Sequence, residues 1–78
     1  VTQIATVSSS VGNVRLVREG RSSPLTPGAS LFDGDELQLR TNASVVTLWN
    51  VPAQRAETLR GSNTYEWDTS STSWVIKR

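Results

Sequence analysis

The sequence contains no cysteine, no histidine and no methionine. Without thiolate or imidazole groups it offers no disulfide, no zinc site of the usual kind and no Cys–His or Ser–His nucleophile. Serine and threonine are abundant, but no base is present to activate their hydroxyls as histidine would. We therefore expect a protein that is not an enzyme and that uses no metal and no other cofactor.

The sequence also lacks an excess of charge of one sign and lacks long apolar runs. Eight Lys and Arg against seven Asp and Glu give a formal net charge of +1, which is too even to attract nucleic acid or an anionic membrane surface. No apolar run approaches the ~20 residues that span a bilayer. We expect no nucleic-acid partner and no direct membrane insertion by this segment.

The residues that remain favour β-strands. Valine and threonine are frequent, three tryptophans are present, and no stretch shows the i, i+3, i+4 spacing of an amphipathic helix. The pattern predicts one domain over residues 1–78, with an all-β fold. We expect a small antiparallel β-sandwich or a partly open barrel of about six to eight short strands. The start at Val1 leads us to expect a domain excised from a longer protein.

Several strands can be placed along the chain. Residues 1–7 and 14–18 are separated by serines and by Gly12-Asn13, which predicts that the two runs pair as a hairpin. Residues 36–40 alternate strictly and place Leu37 and Leu39 on one face. Residues 44–50 form the longest predicted strand, and residues 55–59 and 73–77 form shorter ones.

Two turns have the most definite chemistry. Pro27 fixes an extended backbone, and Gly28 after it suits a position with positive φ. In the second turn Gly34 lets the chain reverse between Asp33 and Asp35, and the Asp35 carboxylate accepts hydrogen bonds from nearby amides. A calcium site is the alternative for these carboxylates, but the D-x-D-x-D-G spacing of a dedicated loop is missing. We interpret all five residues as structural turn residues.

Four segments follow one another in a distinctive order between residues 4 and 50. They are Gly-Asn-Val-Arg-Leu-Val-Arg at 12–18, Pro-Leu-Thr-Pro-Gly-Ala-Ser-Leu at 24–31, Asp-Gly-Asp-Glu-Leu-Gln-Leu-Arg-Thr at 33–41 and Ala-Ser-Val-Val-Thr-Leu at 43–48. In this order the segments resemble the FecR-type domain. The resemblance ends at Asn50, because Asn50-Val51-Pro52 replaces the Asp-Gly turn that is usual in the family.

The resemblance implies a role and a location. FecR-type domains are bacterial, extracytoplasmic modules that signal or form scaffolds through protein contacts, and they are not enzymes. The resemblance therefore implies a periplasmic or secreted location and a partner that is another protein or another domain of the same chain. Strand addition at an open sheet edge is the mode of binding that we favour for such a module.

The candidate binding residues are Trp49, Tyr65, Trp67 and Trp74. If Val46 and Leu48 face the core, alternation places Trp49 on the opposite face of its strand. The interpretation that we favour is that the segments of Trp67 and Trp74 fold across Trp49 as a second small core, because a small domain rarely leaves so much apolar area exposed. The alternative is an aromatic surface for a peptide or a glycan, as in a small carbohydrate- or cell-wall-binding module.

Overall fold

The computed structural model of the chain describes residues 3–77. These residues form nine strands, which are β1 (Gln3–Val11), β2 (Val14–Arg18), β3 (Arg21–Pro24), β4 (Ser30–Phe32), β5 (Glu36–Leu39), β6 (Val45–Asn50), β7 (Arg55–Arg60), β8 (Thr64–Asp68) and β9 (Ser73–Ile76). Within the described residues there is no helix long and apolar enough to cross a membrane.

The strands form two antiparallel sheets, as expected for a small open β-sandwich. The four-stranded sheet has the order β4-β1-β6-β7, and the five-stranded sheet has the order β3-β2-β5-β8-β9. The predicted all-β fold is confirmed. Nine strands form, more than the sequence indicates, and the two that are hardest to recognise are β3, which is polar and exposed, and β4, which is only three residues long. Neither segment carries an alternating apolar pattern that could be read from the sequence.

The predicted hairpin between the first two strands is wrong. β1 pairs with β4 and β6, whereas β2 pairs with β3 and β5, so the chain crosses from one sheet to the other after Val11. Gly12 permits this crossing: its φ is +82°, and a Cβ there would lie 2.9 Å from the Cα of Ser44. Val1 and Thr2 of the predicted first strand lie outside the described residues. The turn-forming residues predict where the chain bends but not which strands pair.

A single hydrophobic core lies between the sheets. Its buried members are Ile4, Ala5, Val7, Val14, Leu16, Leu25, Leu31, Leu37, Leu39, Val46, Leu48, Leu59 and Trp74. The alternation that the sequence predicts in β5 and β6 is confirmed, since Leu37, Val46 and Leu48 are completely buried. Burial of one such side chain stabilises the fold by about 1.5–3 kcal/mol.

Buried Ser44 holds together one end of the sandwich. Its Oγ donates to the carbonyl of Asn13 at 3.0 Å and lies 2.9 Å from the hydroxyl of Thr41. Its own carbonyl accepts a hydrogen bond of 2.9 Å from the N–H of Gly61. Three separate loops therefore meet at one residue that is 0% exposed.

Buried Asn50 has the same role at the other end of β6. Its Nδ2 donates to the carboxylate of Glu57 and, at 2.8 Å, to the carbonyl of Thr72. Its Oδ1 accepts a hydrogen bond of 3.1 Å from the N–H of Ala53. The side chain thereby fixes the turn between β6 and β7 and joins it to the turn between β8 and β9.

Candidate functional site

The structure separates the four candidate aromatic residues. Tyr65 is opposite buried Leu37, and Trp67 is opposite Trp74, so all three aromatic side chains point from the five-stranded sheet toward the core. The rings of Trp67 and Trp74 meet edge to face, with their centroids 5.8 Å apart and an angle of 66° between the planes. The Tyr65 hydroxyl donates to the carbonyl of Arg60 at 3.0 Å. These three residues belong to the core or its margin.

Trp49 lies apart from them, on the outer face of the four-stranded sheet. Its side chain is 44% exposed, and its neighbours across the strands are Thr6 on β1 and Ala56 on β7. Trp67 and Trp74 do not cover it, because they project inward from the other sheet. The four aromatic residues therefore do not form one surface, and Trp49 is the most exposed of them.

The two sequence-predicted turns fasten one strand to another. Pro27 and Gly28 form a turn in which Gly28 has a φ of +87°. The N–H of Gly28 donates to the carbonyl of Val7 at 2.8 Å, so this turn is held against β1. Asp33 and Gly34 form the second turn, with a φ of +97° at Gly34. Both glycines occupy the left-handed region that other residues rarely adopt.

Asp35 ends the second turn and is almost completely buried, at 3% exposed. Its carboxylate accepts two hydrogen bonds from the guanidinium of Arg18, at 2.9 and 2.7 Å, and a third of 2.9 Å from the N–H of Phe32. The hydrogen bond to Asp35 raises the pKa of Arg18 above its usual value. Because Arg18 and Phe32 already occupy this carboxylate, its chemistry here is that of a structural anchor.

The edges of the sheets are the places where a partner strand could pair with the backbone. Edge strands expose unpaired N–H and C=O groups, and here the edge strands are β4 and β7 in one sheet and β3 and β9 in the other. On β4, the carbonyl of Ser30 accepts a hydrogen bond of 3.0 Å from Arg18, and the N–H of Phe32 donates to Asp35. The side chains of Arg18 and Asp35 thus occupy backbone groups along the edge of β4.

The edge of β3 is also poorly suited to pairing. Pro24 at its end has no backbone N–H, and the carbonyl of Ser22 accepts a hydrogen bond of 3.4 Å from Arg15. Strand β9 has only four residues. Just beyond β9, the N–H of Lys77 donates to the carbonyl of Thr64 on β8. Because bonded and non-bonded residues alternate along an antiparallel ladder, the N–H and C=O groups of Trp74 and Ile76 point away from β8.

β7 presents the longest edge, with six residues paired to β6 without a break in register. Just beyond it, the N–H of Gly61 donates to the carbonyl of Ser44 at 2.9 Å. Hydrogen-bonded pairs alternate with non-hydrogen-bonded pairs along an antiparallel ladder. The β7 residues that bond to β6 are therefore Arg55, Glu57 and Leu59. The β7 residues whose backbone groups point outward are Ala56, Thr58 and Arg60.

Most of these outward-pointing backbone N–H and C=O groups of β7 have no hydrogen-bond partner within the described residues. The carbonyl of Arg60 accepts hydrogen bonds from the Tyr65 hydroxyl at 3.0 Å and from Asn63 Nδ2 at 3.3 Å. Within residues 3–77, no hydrogen bond occupies the outward backbone groups of Ala56 and Thr58 or the N–H of Arg60. Two carbonyls and three N–H groups are thus available to a partner strand along one edge whose register is unbroken.

The outer faces of the two sheets differ in charge. The register places five ionised side chains on the outer face of the five-stranded sheet, which are Arg15, Glu36, Glu66, Asp68 and Lys77. On the four-stranded sheet the outward positions around Trp49 are Thr6, Ser9, Ser30, Thr47, Ala56 and Thr58. Val11, Val45 and Arg60 lie at one end of this face, and Gln3 and Phe32 lie at the other. Arg60 is the one charged residue among these positions.

Comparisons with protein-family models, with curated proteins and with solved structures each gave no match to the chain. The resemblance to the FecR-type domain therefore rests on the order of motifs between residues 4 and 50. The surfaces themselves, the open edge of β7 and the uncharged face around Trp49, provide the independent basis for a functional proposal.

Proposed function

We propose that this protein is a non-enzymatic, extracytoplasmic interaction module with a role similar to that of FecR-type domains. It binds another protein, or another domain of the same chain, by strand addition at β7. The observation that carries this proposal is the row of open backbone groups at Ala56, Thr58 and Arg60. In strand addition, main-chain hydrogen bonds supply affinity and alternate side-chain positions supply specificity.

The other edges support the choice of β7. Side chains of Arg18 and Asp35 occupy backbone groups of β4, and Pro24 interrupts the donors of β3. Strand β9 offers two outward residues where β7 offers three. β7 is also held firmly, because all six of its residues pair with β6. A partner would therefore meet a strand that is already held in place by its pairing with β6.

Glu57 makes this edge selective. It is opposite buried Leu48, so its side chain points toward the inner side of the sheet, where its carboxylate accepts a hydrogen bond from Asn50. A charge that points inward from an edge strand opposes non-specific pairing. An added strand has to present a polar or basic residue beside Glu57 and an apolar residue beside Leu59. This pattern favours a particular partner over indiscriminate association.

Selection of randomised peptides against the folded protein tests the proposal. We expect the enriched peptides to bind the Thr58→Pro variant at least about tenfold more weakly, because proline removes an N–H that points toward the added strand. Ser22→Pro is the matched control. The β2–β3 hairpin places the N–H of Ser22 outward on the opposite side of the sandwich, so this variant should bind the same peptides as tightly as the unchanged protein.

Thermal unfolding of both proline variants shows whether each retains its fold, and NMR shifts map the bound peptide. The proposal predicts that the largest backbone shifts fall at residues 56–60. Peptides that bind Thr58→Pro undiminished, or that shift β9 and leave β7 unchanged, would contradict it.

A further inference from the structure

The outer face of the four-stranded sheet is a second surface, separate from the backbone edge of β7. We call it the Trp49 face and define it by Thr6, Ser9, Ser30, Trp49, Thr47, Ala56 and Thr58. None of these side chains is ionisable. Trp49 stands at its centre with 44% of its surface exposed, while small side chains surround it. An exposed tryptophan offers an apolar ring face and a polar N–H together, and such a ring can stack on a ligand.

We propose that the Trp49 face binds a neutral glycan, with one sugar ring stacked on the exposed side of the Trp49 indole. The C–H groups on one face of a pyranose ring carry partial positive charge, and the face of the indole carries the negative part of its quadrupole. Thr6 and Ala56 flank Trp49 across the strands. Their small side chains leave room for a ring to lie flat on the indole.

The charge of this face is the first reason for a neutral ligand. An anionic or cationic polymer would need compensating charges, and Arg60 is the one ionised side chain among the outward strand positions of this sheet. The Arg18 guanidinium, which lies over Phe32 at the other end of the face, is already paired with Asp35. The five ionised side chains of the opposite outer face show that the fold does not otherwise avoid surface charge. An uncharged face complements an uncharged ligand.

The composition of the face favours a sugar over a protein. Protein interfaces are depleted in serine and alanine and enriched in several aromatic residues and arginine, whereas hydroxyl-bearing side chains and Ala56 surround Trp49 on this face. Thr47 precedes Trp49 on the same side of β6, about 6.8 Å along the strand. Thr58 lies opposite Thr47 on the next strand, about 4.8 Å away. These hydroxyls can donate to and accept from sugar hydroxyls beside a stacked ring.

The hydrogen bonds of the structure leave these groups available. Thr6 Oγ1 accepts a hydrogen bond from Gln3 Nε2, so its own O–H remains free to donate. Within residues 3–77 the hydroxyls of Thr47 and Thr58 take part in no side-chain hydrogen bond. The stacked ring and three neighbouring hydroxyls together define a site for one or two sugar units.

NMR titration of the folded protein tests this inference through the indole N–H signals of the three tryptophans. The probes are neutral hexasaccharides of β-linked glucose, xylose and N-acetylglucosamine, with hexagalacturonate as the anionic control. We expect at least one neutral sugar to shift the Trp49 signal saturably. The signals of Trp67 and Trp74 should stay in place, and hexagalacturonate should have no effect.

Two variants identify the surface. Trp49→Ala should weaken binding at least about tenfold, and Thr47→Lys should do the same by placing a charge within the face while Trp49 remains. Trp67→Phe is the matched control and should bind as the unchanged protein does. The absence of a saturable shift with every neutral sugar, or binding that survives both Trp49→Ala and Thr47→Lys, would overturn the inference.

Discussion

Replacing Trp74 by alanine is expected to lower the free energy of unfolding by about 4 kcal/mol. Trp74 is 5% exposed and contacts Trp67 edge to face within the core. Alanine would leave a cavity that the surrounding strands fill only in part. Domains of this kind unfold at a cost of about 5–15 kcal/mol in total, so the variant should be close to the limit of folding. Chemical denaturation monitored by circular dichroism measures the loss.

Trp49→Ala is the matched control for this prediction. The same side chain is removed, but from a position that is 44% exposed, so the expected loss is about 1 kcal/mol or less. If both variants lost the same free energy of unfolding, the assignment of Trp74 to the core and of Trp49 to the surface would be contradicted. The comparison therefore tests directly which tryptophan is available for binding.

Gly61→Ala is expected to lower the free energy of unfolding by about 3 kcal/mol. A Cβ at this position would lie 2.0 Å from the carbonyl oxygen of Thr41 and 3.2 Å from the Cβ of Ser44. The first of these is a backbone atom, so no side-chain rotation relieves the contact. The N–H of Gly61 also donates to Ser44, and displacement of the chain would disturb that buried residue. Thermal and chemical unfolding measure the effect.

Gly20→Ala separates this steric effect from the ordinary cost of replacing a glycine. Gly20 has a φ of +76°, but no atom lies within 4 Å of a Cβ placed there. Only the strain of a left-handed alanine remains, which costs about 1 kcal/mol. A Gly61→Ala variant no less stable than Gly20→Ala would show that Thr41 and Gly61 are not held as closely as described.

The parts of the fold that the sequence predicts are those determined by neighbouring residues. The strict alternation of residues 36–40 indicates which face of β5 is buried, and Leu37 and Leu39 do line the core. Gly28 follows Pro27, and Gly34 separates Asp33 from Asp35. Both glycines have the positive φ that such turn positions require. The short strand expected at residues 55–59 is close to the observed β7.

The remaining parts depend on residues that are distant in the chain. Nothing between residues 7 and 14 indicates that β1 and β2 belong to different sheets. The partner of Asp35 is Arg18, 17 residues earlier, and no local pattern connects them. The alternation in β6 predicts that Trp49 points outward, but its exposure depends on β8 and β9, which lie in the other sheet and leave it uncovered.

The candidate binding surfaces could not be predicted from the sequence, for the same reason. β7 can be expected as a strand, but its place at a sheet edge follows from the pairing of β6 with β1 and of β8 with β5. The uncharged Trp49 face is assembled from β1, β4, β6 and β7, which are far apart in the chain. The small, uncharged side chains of Thr6, Thr47 and Ala56 are visible in the sequence. Their position around Trp49 follows only from the register of the strands.

Native-state amide hydrogen exchange along β7 tests the central claim, that this strand presents an open edge, most directly. The register predicts slow exchange at Glu57 and Leu59, whose N–H groups bond to β6, and fast exchange at Ala56, Thr58 and Arg60. Slow exchange at all five amides would mean that the outward groups are already bonded, and it would contradict the open edge on which the proposed function depends.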